Sequence, residues 1–220
     1  MGRFIKLFSI SFLLLLGSCN KKDSTSSGTD NLFKFKEYIS YHTNGNQSIG
    51  NPIRIGLAQQ LTQYEVDQEL PSNIVDIQPK SSGKLILESG NTLLFVPNTF
   101  LQADTEYKVS LRLDKLYEDV KKDFKEYTFA FKTITPNFKI DLGELQSYSK
   151  TWQYLTGTLE ASDLLEAEKI KGILKSTQGN TALSIKWDRT NEASRYYSFT
   201  IDSIQRFTDD SFLKIDWDGR

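Results

Sequence analysis

The sequence predicts an all-β protein built from two antiparallel β-sandwich domains in series, the second with one short helix. Its composition favours strands, with 14 Phe and 10 Tyr among 220 residues, because aromatic and β-branched side chains pack well on a pleated, half-buried surface. Short runs of alternating apolar and polar residues also recur between turn signals along the chain. That spacing is typical of an antiparallel sandwich.

Residues 1–18 have the order of a signal peptide. Arg3 and Lys6 give a positive start, residues 8–16 form an apolar run, and the small pair Gly17-Ser18 precedes Cys19. The apolar run is shorter than the roughly 20 residues that a permanent transmembrane helix needs. An ordinary secretory signal that happens to contain a cysteine is the alternative, but the chain's only cysteine stands at the end of the apolar run.

The segment Leu16-Gly17-Ser18-Cys19 resembles a lipobox. The resemblance implies that the Cys19 thiol carries a diacylglycerol and that cleavage makes Cys19 the first mature residue. It therefore implies a lipid-anchored protein of a Gram-negative cell envelope, with membrane lipid as a partner. Asn20, rather than Asp, follows the cysteine, and by resemblance to known sorting rules this favours the outer over the inner membrane. A periplasmic and a surface-facing orientation both stay open.

Residues 19–31 comprise the anchor cysteine and a segment without any apolar residue, which we interpret as a flexible tether. A first domain is predicted at residues 32–136, because Pro136 closes the last alternating run. Within that domain, seven alternating runs predict strands at residues 33–39, 53–58, 74–77, 84–87, 92–96, 107–113 and 127–131.

A second domain is predicted at residues 137–220. Asp163 can cap a helix, Glu166 would complete the capping box, and one helical face would carry Leu164, Ala167, Ile170 and Leu174 before a turn at residues 178–180. Asp218-Gly219 is a hairpin signal with no strand after it, so the domain is expected to be truncated and the chain a fragment. The predicted strands are residues 152–159, 182–187, 197–201 and 212–217. On the first of these, Trp152 and Tyr154 are expected to point inward, with Leu155 as a further candidate.

Two stretches carry a family resemblance. Residues 76–111 read DIQPKSSGKLILESGNTLLFVPNTFLQADTEYKVSL, and residues 152–219 contain WQYLTGTLEASD, EKIKGIL, LSIKW, FTIDSIQR and LKIDWDG. The first stretch resembles a bacterial Ig-like domain. The second is similar to an early macroglobulin-like domain of lipid-anchored bacterial proteins. Together they resemble the N-terminal region of bacterial alpha-2-macroglobulins.

This resemblance implies a broad-spectrum protease inhibitor and no enzymatic activity. In that family a protease cuts a bait region, the molecule rearranges, and the protease is trapped. Some members also use a thioester built from a Cys-Gly-x-Glu-Gln motif. Here the only cysteine is Cys19 and no Glu-Gln pair occurs, so any thioester, like the bait region that meets proteases, is expected beyond Arg220. The alternatives are a cell-envelope Ig-like adhesin or carbohydrate-binding lipoprotein, and a spacer for a downstream enzyme.

Few residues are candidates for chemistry of their own. His42 is the only histidine and is expected on a surface or loop, without the neighbours of a catalytic triad. Glu166 and Glu168 are expected to be solvated. Four aspartates, Asp209, Asp210, Asp216 and Asp218, recur within ten residues, but the spacing of an EF-hand is missing. We therefore predict no catalytic residue, no metal and no cofactor.

The sequence also bears on two classes of ligand, carbohydrate and nucleic acid. Trp152, Trp187 and Trp217 could form a carbohydrate platform, but their alternating strand contexts favour packing in the core. Removal of Arg3 and Lys6 with the leader leaves 25 basic residues of the 27 against 28 acidic ones, a net charge of −3. Because these charges are interspersed, the sequence predicts no nucleic-acid footprint.

Overall fold

The structure is a computed structural model that describes residues 28–188, 191–209 and 211–218. The predicted signal peptide, Cys19 and most of the predicted tether lie outside these residues. Within them, no helix is long and apolar enough to cross a membrane.

The described chain is all-β, as the sequence predicts. It forms two groups of strands, each with its own hydrophobic core, which we call the first and the second unit. The first unit comprises α1 (Gly28–Lys34), β1 (Ile39–His42), β2 (Asn46–Gln47), β3 (Ile53–Leu57), β4 (Glu69–Leu70), β5 (Val75–Gln78), β6 (Gly83–Ser89), β7 (Thr92–Pro97), β8 (Glu106–Arg112) and β9 (Glu126–Thr133).

Two sheets enclose the core of the first unit. Their strand orders are β1-β3-β7-β6-β4 and β2-β9-β8-β5, antiparallel except for the parallel pair of β2 with β9. On β8 and β9 the alternation predicted from the sequence is confirmed, because Val109 lies opposite Phe129, Leu111 lies opposite Tyr127, and all four are buried. Side chains at every second position of a strand share a face, so each alternating run fills this core.

The strand predicted at residues 33–39 is wrong. Residues 28–34 form α1, which begins inside the segment interpreted as a tether, and a turn follows before β1. Phe35 and Ile39 are both buried, and the Ile39 amide donates to the Phe35 carbonyl at 2.9 Å. An apolar spacing of four residues belongs to a helical turn rather than to a strand, so the period was misread.

The second unit has seven strands, two of which, β13 and β14, form a stretch that crosses between sheets. It comprises β10 (Phe138–Ser147), β11 (Trp152–Leu165), α2 (Ala167–Ile170), β12 (Leu174–Gln178), β13 (Thr181–Leu183), β14 (Ile185–Trp187), β15 (Ser194–Gln205) and β16 (Leu213–Trp217). Its sheets have the orders β10-β11-β15-β14 and β13-β12-β16. Since only Ser184 separates β13 from β14, one kinked stretch of chain joins the two sheets.

The helix of the second unit is far shorter than the sequence predicts. β11 continues to Leu165, α2 spans only four residues, and Leu174 lies on β12. Asp163 therefore cannot cap α2; Glu166 stands at the cap position without a capping hydrogen bond from its side chain. The apolar residues of the i, i+3, i+4 pattern lie on three separate elements: Ile170 and Leu174 are buried in the core of the second unit, whereas Leu164 packs against the core of the first.

Candidate functional site between the two units

The connection between the two units is tied down by backbone hydrogen bonds. β9 ends at Thr133 and β10 begins at Phe138, so four residues link the units. The Ile134 amide donates to the carbonyl of Gln47 at 2.9 Å, and the Ile134 carbonyl accepts from the Asp104 amide at 3.1 Å. These bonds hold the start of the linker against the first unit.

Ser162 of β11 holds the rest of the linker against the second unit. Its hydroxyl donates to the carbonyl of Thr135 at 3.0 Å and accepts from the amide of Asn137 at 3.0 Å. Its own amide donates to the Asn137 carbonyl at 2.8 Å. One serine thus satisfies three backbone groups of the linker, which leaves this segment few ways to change its direction.

Asp163 makes the direct contact between the units. Its side chain is only 8% exposed. One carboxylate oxygen accepts from the Ser48 hydroxyl at 2.5 Å and from the Leu164 amide at 2.8 Å, and the other accepts from the Ile49 amide at 2.8 Å. Hydrogen bonds to an ionised acceptor are the stronger kind, worth about 1.5–3 kcal/mol each. Asp163 is therefore a clamp between β11 and the turn after β2.

An apolar contact accompanies this clamp. Leu164, the next residue on β11, packs against the core of the first unit. It approaches the backbone of Gly50 so closely that a Cβ built there would lie 2.6 Å from a Leu164 methyl group. Because Gly50 has no side chain, the two segments of the polypeptide can approach each other this closely.

A cleft of ≈720 Å³ opens beside the clamp. Its walls are largely apolar and come from both units: Ile49, Ile134, Phe138, Leu165 and Ile173. Glu166 and Lys169 also line it, and their side chains form an ion pair at 3.2 Å. Ser162 also lines the cleft, and its hydroxyl is already engaged in the bonds to the linker.

Asp104 strengthens the same junction from the first unit. Its carboxylate accepts from Lys132 and Thr135, both at 2.6 Å. These hydrogen bonds, led by that of Lys132, hold the pKa of Asp104 below its ordinary value. The stabilisation is therefore present while the carboxylate is charged.

Of the candidate residues predicted from the sequence, the structure describes His42 but not Cys19. Cys19 lies outside the described residues. His42 is buried, not on a surface or loop, because β1 turns it inward, where its ring lies 4.4 Å from that of Phe129. Its Nδ1 atom is 2.8 Å from the carbonyl oxygen of Thr43. In the described part of the chain, no serine, threonine or cysteine side chain bonds to this imidazole.

The acidic candidates form no cluster where they are described. Asp210 lies outside the described residues, and Asp216 pairs with Lys214 at 3.0 Å. Glu166 and Glu168 are exposed, and Glu168 pairs with Lys171 at 2.8 Å. Among the residues described, no three His, Cys, Asp or Glu side chains are grouped so that they could hold a metal ion.

The three tryptophans share no surface. Trp187 lies on the core side of β14, opposite Phe199 and edge-on to Tyr197. Trp152 and Trp217 are exposed, but on strands of different sheets. The expectation that Trp152 and Tyr154 point inward is wrong, whereas Leu155, the further candidate, is the residue that β11 buries there.

The clamp was not found from the sequence. Asp163 was interpreted as a helix cap, and neither Ser48 nor Ser162 was considered. A sequence-level signal did exist, since Asp163 interrupts an alternating run at a position where β11 buries its side chain. A buried carboxylate in such a run requires donors from elsewhere in the fold.

Comparisons with known proteins add little. No family model matches the sequence, and no curated protein matches it. The chain is similar to L,D-transpeptidase 3 from Mycobacterium tuberculosis in complex with a faropenem-derived adduct, with 16% identity, a TM-score of 0.32, and coverage of 55% of this chain and 46% of that chain. It is also similar to an L,D-transpeptidase from Mycobacterium tuberculosis H37Rv, with 15% identity, a TM-score of 0.32, and coverage of 78% and 76%. At such TM-scores these likenesses carry no argument about fold or function.

Proposed function

We propose that the chain is the membrane-anchored N-terminal scaffold of a broad-spectrum, macroglobulin-like protease inhibitor that traps proteases. The observation that carries the proposal is the Asp163 clamp, which joins two β units in series through a buried contact. A trap must pass a local cleavage on to the whole molecule, and coupling of that kind needs units that do not swing freely. The resemblance of residues 76–111 to a bacterial Ig-like domain, and of residues 152–219 to an early macroglobulin-like domain, supports this choice of family.

In this role the chain carries no chemistry of its own. Ser162 and Asp163 fix the linker and the angle between the units. The bait region, and any thioester, belong to regions outside this chain. Proteases are therefore partners of the complete inhibitor and not of the two units alone.

The proposed location is the Gram-negative cell envelope. Cys19, acylated, would hold the protein at a membrane, the outer one in preference to the inner, and α1 and the residues before it would connect the anchor to β1. Two signals are usually needed for a stable anchor, and the several acyl chains of a lipoprotein meet that requirement.

The test of inhibition uses the complete gene product. It is incubated with trypsin, and the remaining activity is measured on a large protein substrate and on a small peptide substrate. A trapped protease loses activity on the large substrate while it still cleaves the small one. Stepwise degradation of the protein, with the protease equally active on both substrates, would contradict the proposal.

The anchor has its own test. Cys19→Ala should move the protein from the membrane fraction to the soluble fraction and abolish labelling by a radioactive fatty acid. A control variant, Ser18→Ala, keeps a small residue before the cysteine and should stay in the membrane fraction. A Cys19→Ala protein that is still lipid-labelled would contradict the assignment.

An exposed aromatic surface favours the second candidate, a carbohydrate-binding or adhesive lipoprotein. Tyr148 and Tyr154 stack with ring centres 6.0 Å apart, and Trp152 lies two positions from Tyr154 on the same strand, so it shares that face. A glycan array probed with the Cys19→Ala protein would distinguish the candidates. Binding that Trp152→Ala removes and Trp217→Ala leaves intact would support this reading in place of the inhibitor.

A further inference from the structure

The second unit has two sheets joined by the kinked stretch of β13 and β14, and the strands at its two ends, β10 and β16, have unpaired outer edges. Because β13 and β14 are one kinked stretch, the order runs β10-β11-β15-β14, then β13-β12-β16. Among the described residues, no strand pairs with the outer edge of β10 or of β16. The cleft between the units is lined by Phe138, the first residue of β10, and by Asp218, directly after β16. Both edges therefore reach the same opening, and we call the space between them the seam.

On β10, two leucines face the core side and yet are exposed. Leu142 lies opposite Gly157, and Leu145 lies opposite Leu155, whose other neighbour across the sheet is the buried Ile201. Residues opposite each other in a sheet share a face. Leu142 is nevertheless 51% exposed and Leu145 48%, so the described residues cover this part of the inner face only partly.

On β16, Trp217 is in the same situation. It lies opposite Leu174, which is buried, so its side chain is on the inner face of its sheet. It is 62% exposed. Three large apolar side chains on both sides of the seam thus have inward positions and are only partly covered.

The backbone of β16 identifies which groups face the seam. The Asp218 amide donates to the carbonyl of Ile173 at 2.9 Å, so this pair is of the hydrogen-bonded type. Such pairs alternate along an antiparallel ladder. The backbone groups of Lys214 and Asp216 therefore point to β12, while those of Leu213, Ile215 and Trp217 point to the seam.

We propose that the seam is a binding site for an extended peptide segment, which pairs with the outer edge of β16 as an added antiparallel strand. Its backbone would bond to Leu213, Ile215 and Trp217. Its apolar side chains, at every second position, would cover Leu142, Leu145 and Trp217. Lys214 and Asp216 neutralise each other on the outer face, so the alternate positions of the partner should be polar and uncharged.

A strand fits this seam better than a helix or an acyl chain. Neither of the latter can satisfy a row of unpaired backbone donors and acceptors, whereas strand addition does so and supplies alternating side chains in the same step. The first unit gives the contrast, because its edge strands are shorter: β2 and β4 span two residues and β1 and β5 four, whereas β16 spans five and β10 ten. This inference stands independently of the inhibitor proposal.

The experiment uses the Cys19→Ala protein labelled with ¹⁵N. The probe is a synthetic peptide of alternating threonine and valine, about eight residues long, which spans roughly 26 Å when extended, with a lysine at each end for solubility. Millimolar peptide should protect the amides of Leu213, Ile215 and Trp217 from hydrogen exchange at least tenfold and shift Trp217 fluorescence to the blue. The amides of Lys214 and Asp216 should change less, since they already bond to β12.

Matched controls test whether the peptide binds through its backbone and at the seam. A peptide with N-methylated valines keeps its apolar side chains but loses donors, and should not bind. Leu142→Ser should weaken binding several-fold, whereas Val66→Ser, exposed in the first unit, should not. Equal binding of the methylated peptide, protection only along β10, or no protection at all would overturn the proposal. So would concentration-dependent protection without peptide, because a second copy would then fill the seam.

Discussion

The two units bury the same kind of sequence to different extents. In the first unit, the alternating residues of β8 and β9 lie between two sheets, and Leu111 is fully buried. In the second, Leu142 also faces the inner side of its sheet but is half exposed. Alternation thus decides which way a side chain points, while burial requires a second layer that covers it. The first unit has that layer throughout, and the second lacks it along the seam.

The largest expected effect on stability comes from truncating a buried side chain. Leu111→Ala should lower the free energy of unfolding by about 2–5 kcal/mol, because it leaves a cavity in a packed core. Leu142→Ala, the same change on the inner face of the second unit, should cost less than about 1 kcal/mol. Urea denaturation followed by circular dichroism measures both. Equal losses would mean that the seam is covered in solution.

Loss of the clamp should be the next largest effect. Asp163→Ala removes an acceptor from the Ser48 hydroxyl and the buried Ile49 amide, at a cost of about 2–4 kcal/mol. The linker of residues 134–137 should then be cut faster in limited proteolysis. Asp202→Ala is the control, since the carboxylate of Asp202 bonds only within the second unit. Identical proteolysis of the two variants would contradict the role of Asp163.

Two buried tyrosines, one in each unit, should respond oppositely to loss of the hydroxyl. In the second unit the Tyr197 hydroxyl donates to the Leu165 carbonyl at 2.6 Å and accepts from the Ser194 amide at 3.0 Å. In the first, the Tyr127 hydroxyl has no hydrogen-bond partner among the described residues, and burial raises the pKa of Tyr127 to about 12. Tyr197→Phe should cost about 1–3 kcal/mol, whereas Tyr127→Phe should be neutral or stabilising. Thermal unfolding distinguishes them, and a destabilised Tyr127→Phe protein would reveal a partner for that hydroxyl.

The smallest expected effect is on thermal stability at low pH. The pKa of Asp104 is lowered in the folded chain, chiefly by its hydrogen bond with Lys132. Its contribution is therefore present above the ordinary aspartate pKa of about 3.9 and is lost as the pH falls through the lowered pKa. Asp104→Asn should flatten the fall in melting temperature below pH 4, and Thr135→Val should flatten it partly. A fall of unchanged steepness in both variants would exclude this contribution.

Much of the fold was predictable because alternation is a local property. The runs at residues 107–113 and 127–131 correspond closely to β8 and β9. The errors arose where a short pattern fits two periods. Phe35 was assigned to a strand although it lies in the turn between α1 and β1, and Leu164 and Leu174 were assigned to a helix although they lie on strands.

The candidate site was less predictable, because its parts are far apart in sequence. Asp163 bonds to Ser48 and Ile49, which lie more than a hundred positions before it in the sequence. His42 is inward only because a bulge in the pairing of β1 with β3 changes the register between Ile39 and Tyr41. The seam depends on strand order, which no single run of residues encodes.

The most direct measurement is the alignment of the two units in solution. Residual dipolar couplings of the Cys19→Ala protein, fitted separately to the first and the second unit, should give the same alignment tensor, because Asp163 and the bonded linker hold the two together. Asp163→Ala should give two tensors of different magnitude. Two independent tensors in the protein that retains Asp163 would contradict the scaffold that we describe.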